Sequence, residues 1–285
     1  TTDIVKNNPY KLIEDVDGIG FTTADKIAKN VGIPEDSEFR VRAGLVHVLK
    51  GSCEKNGNTY LPKNARYGEA SKALGLIAED NKELFDRTFD TLCLDKTCVT
   101  LWQDNVEIVM LSKYYYYENS IAQKLTWLKN ASKSEKFDID EDIDAFQLRN
   151  KIKLHEEQIN AIKGAVNNGV FVITGGPGTG KTTIIKCILE IFENMQKKVA
   201  LVAPTGRASK RMSDSTKHEA KTIHRLLEVN VIKSSESYFL HNETNPLNVD
   251  VVIVDEVSMV DCALMCNLLK ALPRDCKLVL VGDKD

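Results

Sequence analysis

One stretch of this 285-residue chain restricts its fold more than any other: Gly175-Gly176-Pro177-Gly178-Thr179-Gly180-Lys181-Thr182. It fits G-x-x-x-x-G-K-[ST] at every fixed position, it follows the apolar run Val170–Thr174, and it opens a helical pattern from Thr182 to Met195. Glycines let the backbone curl around an anion so that its N–H groups point inward, and the start of the helix adds a partial positive charge. Lys181 can then reach the β- and γ-phosphates of a nucleotide, and the Thr182 hydroxyl can ligate Mg²⁺. A chance glycine-rich turn would lack the strand before it and the helix after it.

A second element agrees. Val251–Val254 is an apolar strand pattern ending in Asp255 and Glu256. At a strand's C-terminal end, Asp255 can sit beside the phosphate loop and hold Mg²⁺, and Glu256 can polarise an attacking water. The other strand candidates are Val199–Ala203 and Leu278–Val281. All are nearly continuous apolar runs, as strands buried on both faces should be, and they alternate with helical stretches. This pattern predicts a parallel α/β sheet over residues 149–285 that binds a nucleoside triphosphate.

Composition excludes other classes. Hydrophobic residues make up 42% and charged residues 28%, which removes collagen-like, mucin-like and disordered readings. No apolar run approaches the roughly 18–20 residues that span a bilayer, and the opening TTDIVKNNPYK has no apolar stretch of the kind a signal peptide needs. A cytoplasmic location and no membrane partner are therefore expected. The seven cysteines contain no C-x-x-C pair, and Cys262 and Cys266 are expected as buried thiols on one helix face. Net charge is −3, from −6 over residues 1–148 and +3 over residues 149–285. A nucleic-acid partner would have to be met by local patches.

The first half reads less clearly. A helix opening near Asn8-Pro9 is broken by Gly18-Ile19-Gly20 and resumes from Ala24 to Val31; Arg40 to Lys50 is helical. Gly57-Asn58 predicts a hairpin turn leading into a short strand at Thr59-Tyr60-Leu61. Gly68 to Asn81 reads as a helix, Thr97 to Leu101 and Val106 to Leu111 as a strand pair around Gln103-Asp104-Asn105, and Glu118 to Leu128 as a helix. The polar, acidic stretch 132–144 reads as a linker. These divisions give a first region at 1–62, a small α+β connecting region at 63–148, and the nucleotide-binding domain at 149–285.

Other residues narrow the nucleotide chemistry. Gln158, just ahead of the first strand of that domain, offers an amide donor and acceptor that suit an adenine edge. No N-K-x-D string is present to read guanine. From Thr205 to Arg225 there are six basic residues against two acidic ones. Interleaved with hydroxyls and helix starts, they suit a phosphodiester backbone.

In order along the chain, GGPGTGKTT, APTGRASKR, TIHRLL, VVIVDEVSMVD and Gly282-Asp283-Lys284-Asp285 resemble the motifs of a superfamily 1 DNA helicase of the RecD/TraA group. The resemblance is nearest to the longer bacterial RecD-like helicases that work outside the RecBCD complex. It implies a RecA-like motor domain in which Gly176, Pro177, Gly178, Thr179, Gly180, Lys181, Thr182 and Thr183 hold ATP and Gln158 contacts the adenine. It further implies Mg²⁺ on Thr182 and Asp255, with Lys181, Asp255 and Glu256 as the catalytic groups. Thr205, Arg207, Thr222, His224 and Arg225 would line a path for single-stranded DNA. Leu12 through Ala28, around Gly18 and Gly20, resembles a helix-hairpin-helix whose free backbone N–H groups can meet a DNA phosphate. Asn8-Pro9-Tyr10-Lys11 and Gly57-Asn58-Thr59-Tyr60-Leu61-Pro62 also resemble this group, although the family more often has His where Asn58 stands.

The implied activity is 5′→3′ translocation on single-stranded DNA coupled to ATP hydrolysis, acting at single-strand/duplex junctions in repair and recombination. Alternatives are a nucleotide-gated DNA-binding module without motor activity and a relaxase-helicase of the TraA type. The chain stops before the family's γ-phosphate-sensing Gln and before the second motor domain with its arginine fingers. The expectation is therefore a fragment of a longer protein, inactive alone without that missing C-terminal partner domain. Residues 229–248 stand where the family inserts a duplex-splitting hairpin, with Tyr238-Phe239-Leu240 as one strand of it.

Overall fold

A computed structural model describes residues 7–131, 136–231 and 237–283. Packing divides the chain into two compact units, one through Tyr116 and one from Tyr117 onward. The division falls inside a helix, Ser112–Ala131, upstream of the acidic stretch at which composition parts the chain. The reason is Leu128, which is buried with strand residues of the second unit.

The first unit is mainly helical. A 3₁₀ turn, Pro9–Lys11, runs into α1 (Leu12–Asp15), and the chain turns through Gly18 at φ 85° into α2 (Phe21–Asn30). Gly20 caps α2 in extended conformation, giving the helix–glycine turn–helix unit expected from the sequence. Next come α3 (Glu38–Asn56), β1 (Leu61–Pro62), α4 (Lys63–Leu74), α5 (Lys82–Leu94), β2 (Cys98–Gln103), β3 (Val106–Leu111) and α6 (Ser112–Ala131).

Two expectations are corrected here. Gly57-Asn58 is the left-handed end of α3, where both N–H groups return to carbonyls of that helix, and the strand beyond it pairs with β3 rather than folding back on its neighbour. The helix read from Gly68 to Asn81 instead spans Lys63–Leu74 and stops at Gly75, φ 68°, so that α5 follows as a separate helix. The β2–β3 hairpin forms as read, with Asp104 and Asn105 both at positive φ, the geometry of a tight two-residue turn.

Buried cations hold this unit together. Arg40, 3% exposed, bonds Asp25 through Nε (2.7 Å) and Nη2 (3.3 Å), and the Tyr10 hydroxyl donates to the same carboxylate at 2.7 Å. Burial alone would raise the Asp25 pKa, but the hydrogen bonds from Arg40 and Tyr10 outweigh it and leave it lowered. Arg66 lies 4.3 Å from the Phe89 ring and pairs with Asp86 at 3.3 Å.

The second unit is an α/β domain. It contains α7 (Asp140–Asn150), α8 (Glu156–Asn167), β4 (Val170–Thr174), α9 (Lys181–Asn194), β5 (Val199–Ala203), α10 (Gly206–Thr216), β6 (Ala220–Thr222), α11 (Ile223–Leu227), β7 (Val229–Val231), β8 (Ser237–Phe239), β9 (Val251–Val254), α12 (Cys262–Ala271) and β10 (Lys277–Gly282). Five strands form an all-parallel sheet in the order β4-β10-β9-β5-β6. The unbroken apolar runs have a direct cause. Val251, Ile253, Val279 and Val281 face one core with α8 and α9; Val252, Val254, Leu278 and Leu280 face another with α12. The fifth strand, β6, was not foreseen. β7 and β8 pair antiparallel within the segment expected to form a hairpin; residues 232–236 of that segment lie outside the described residues.

None of the seven cysteines is in a disulfide, and on α12 Cys266 is buried and Cys262 half-buried. Among the described residues, no helix is long and apolar enough to cross a membrane.

Candidate functional site

Every parallel strand delivers a candidate residue at its carboxyl end, where open α/β sheets bind ligands. Across the sheet these are the phosphate loop after β4, Asp283 after β10, Asp255 and Glu256 after β9, Thr205 after β5, and Thr222 at the end of β6. Nucleotide-type residues thus lie at one end of the row and DNA-type residues at the other, with the carboxylates between them.

The loop's glycines answer specific needs. Gly178 and Gly180 have φ of 79° and 86°, and a Cβ on Gly180 would stand 2.4 Å from Gln158 Nε2. Gln158 is engaged at both ends: Nε2 donates to the Thr179 carbonyl at 3.0 Å, and Oε1 accepts the His155 backbone N–H at 3.0 Å. In this state the amide joins the start of α8 to the loop with one N–H and one oxygen lone pair, and keeps a second of each with which to meet an adenine edge.

Lys181 begins α9. Its Nζ donates to the carbonyls of Gly175 and Gly176 and to Asp283 Oδ1 at 2.6 Å, using all three of its donors. Pro177 and the Thr182 side chain are exposed, Thr183 is half-buried, and the Thr182 hydroxyl has no hydrogen-bond partner among the described residues. Asp283 carries no role in the sequence reading; the signal was its place after an apolar strand, like that of Asp255. Lys284 and Asp285 lie outside the described residues.

Asp255 is 5% exposed, and its backbone N–H bonds the Val202 carbonyl at 2.8 Å, fixing β9 against β5. Burial raises its pKa, with Glu256 adding to the shift; a backbone hydrogen bond and the charges of Arg211 and Lys181 oppose it. Glu256 sits in left-handed conformation, φ 54°, which turns it away from the strand line. Its carboxylate accepts from Arg211 Nη2, an atom also 3.9 Å from Asp255. Arg211 is on α10 and ties the helix after β5 to the carboxylates after β9. It stood within the basic window of the sequence but was not singled out.

The buried Asp255 carboxylate and the exposed Thr182 hydroxyl are hard-oxygen groups of the kind that could hold Mg²⁺, which takes few protein ligands beside waters and phosphates. Among the described residues there is no group of three or more His, Cys, Asp or Glu side chains that could hold a metal without such help.

The residues expected to meet DNA are placed as follows. Thr205 and Thr222 cap α10 and α11, accepting from the N–H groups of Ala208 (3.2 Å) and Arg225 (3.1 Å). Arg207, His224 and Arg225 are exposed, and the His224 ring lies 5.9 Å from that of Phe239. Gly18 and Gly20 belong to the other unit.

Residues 1–60 match the family described as the ATP-dependent RecD2 DNA helicase HHH domain, and residues 158–285 match the AAA domain family. The ATP-dependent RecD2 DNA helicase of Deinococcus radiodurans is 30% identical over 300 residues, covering 99% of this chain and 39% of that protein. The RecBCD enzyme subunit RecD of Buchnera aphidicola subsp. Schizaphis graminum is 29% identical, covering 87% of this chain and 46% of the subunit. The RecD subunit of Mycolicibacterium smegmatis is 39% identical over 153 residues, covering 46% of this chain and 27% of the subunit. The chain therefore spans less than half the length of each of these relatives. With a match to the RecD2 HHH domain at its start, an AAA domain match after it, and RecD proteins as its relatives, the chain is similar to RecD-like helicases along nearly its whole length.

Proposed function

We propose that this chain forms the DNA-contacting N-terminal region and the first motor domain of an ATP-dependent DNA helicase that moves 5′→3′ on single-stranded DNA. The observation that carries the reading is the row of strand ends, with phosphate loop, carboxylate pair and basic helix side by side. ATP binds with its phosphates in the amides of Gly176 through Lys181. Lys181 exchanges its carbonyl and Asp283 partners for phosphate oxygens. Thr182 and Asp255 would hold Mg²⁺, which when bound neutralises charge on the β- and γ-phosphates. Glu256 takes the proton of the attacking water. Arg207, His224 and Arg225 contact the strand backbone, Gly18 and Gly20 present backbone N–H groups to a second stretch of DNA, and the β7–β8 hairpin meets the junction with duplex.

The test is Lys181→Ala, made in the longer helicase of which this chain is proposed to form the first part. It removes a preplaced charge from the phosphates and should lower ATP hydrolysis by about 10²–10³ while thermal unfolding stays at the parent midpoint. Parent-level hydrolysis by this variant would reject the assignment.

A further inference from the structure

The first unit contains a cleft of ≈ 680 Å³ lined by no residue of the motor-domain motifs; Asn8, Tyr10 and Lys11 and two residues of α1 form part of its wall. Its walls come from the 3₁₀ turn, α1, α3, the turn before β2, and the start of α6; Gly18 and Gly20 are not among them. Five cations line it, Lys11, Arg42, Lys50, Lys96 and Lys113, against one carboxylate, Glu14. Residues 1–116 hold 15 basic and 18 acidic residues, so the cleft concentrates positive charge in a unit that is net negative. Arg42 is committed to Asp95, at 2.5 Å. The four lysines are exposed and have no ion-pair partner among the described residues.

One further feature points to an occupant. Phe39, in the first turn of α3, is 49% exposed at the cleft. An exposed aromatic face beside a set of point charges matches one chemistry: a nucleobase carried on a phosphodiester, with the base stacked on Phe39 and its phosphates among the lysines. A volume within the usual range of about 300–1,000 Å³ for small-ligand sites admits nucleotide units but no duplex. Lysines rather than bidentate arginines make the contact tolerant of sequence.

We propose that this cleft holds a short stretch of single-stranded DNA, an anchoring site separate from the motor's strand path. The proposal rests on the helicase reading for its choice of polymer, but its test needs no hydrolysis. The full chain is photocrosslinked to an oligothymidylate bearing iodouracil, and the adducts are mapped by mass spectrometry. Adducts are expected on the peptide containing Phe39 and should persist in Lys181→Ala. In parallel, Lys50→Glu with Lys113→Glu should weaken binding of the same oligonucleotide about tenfold at low salt. It should also flatten the plot of log affinity against log salt by about 1.4, two phosphate contacts on a single strand. Lys72→Glu, away from the cleft, should do neither. Adducts confined to residues beyond Tyr117, or an unchanged affinity and slope, would overturn the proposal. So would suppression of Phe39 crosslinking by inorganic triphosphate added before irradiation as readily as by unlabelled oligothymidylate, since that marks a small-anion site. None of those failures touches the Lys181→Ala result, so the two readings fall separately.

Discussion

The two units bury charge for opposite ends. In the first, Arg40 is 3% exposed and Arg66 4%, and each is paired with carboxylates, although Arg66 leaves its Nε without a hydrogen-bond partner. In the second, Asp255 is 5% exposed, with no cation closer than the 3.9 Å of Arg211 among the described residues and a pKa displaced upward by burial. Matched charge joins helices. Incompletely matched charge stores a demand for a cation that the fold does not itself supply. Buried charge therefore reads as architecture or as chemistry according to whether its partner is already present.

The largest test of that contrast is at the carboxylates. In the longer helicase proposed above, Glu256→Gln keeps shape and hydrogen bonding but removes the base, so hydrolysis should fall about 10²–10⁴ with ATP still bound, as measured by steady-state turnover beside nucleotide titration. If Glu256→Gln and Asp255→Asn both turn over normally, this pair is not the catalytic one. Arg40→Ala should act the other way. It strands Asp25 without its partner and should destabilise the first unit by roughly 3–5 kcal/mol in denaturant unfolding, leaving nucleotide affinity at the parent value.

Acid should separate the two kinds of site by sign. Asp25 has a lowered pKa in the fold, so its pair contributes stability above the unfolded carboxylate value and loses it as pH falls through the folded one. Asp255 has a raised pKa, so the fold takes up its proton before the unfolded chain does, and stability from this group grows as pH falls. Asp255→Asn should be more stable than the parent near neutrality, with the gain shrinking in acid; thermal midpoints across a pH series check it. The smallest effect concerns Thr205. Thr205→Ala loses the cap of α10 and should cost about 1 kcal/mol. Thr205→Asp restores the cap but sets a carboxylate at the proposed DNA path, so stability should recover while affinity for oligothymidylate does not.

How far each unit could be read from sequence follows from the same difference. The strands of the second unit are continuous apolar runs because both faces are covered, and a run such as Val251–Val254 admits little else. β6 escaped because Ala220-Lys221-Thr222 is short and only half-buried. In the first unit, glycine at positive φ serves a hairpin and a helix end equally, so Gly57 was misread and Gly75 was passed over as a stop. Its arginine centres have no periodicity to betray them. At the site, the phosphate loop and carboxylate pair were legible because their chemistry needs fixed residue types at fixed spacing. Arg211 and Asp283 were not, since each matters only through strands that the sheet order brings together.

The Gln158 side chain has a consequence for how occupancy of the loop is felt elsewhere. One amide satisfies the Thr179 carbonyl and the His155 N–H at once, so loop and helix start share a single fastener. A ligand that draws the Gln158 amide away from both partners unfastens the first turn of α8 as it frees the loop. The His155 amide then becomes a built-in gauge, exchanging its hydrogen with solvent in step with events at a loop more than twenty residues further along the chain.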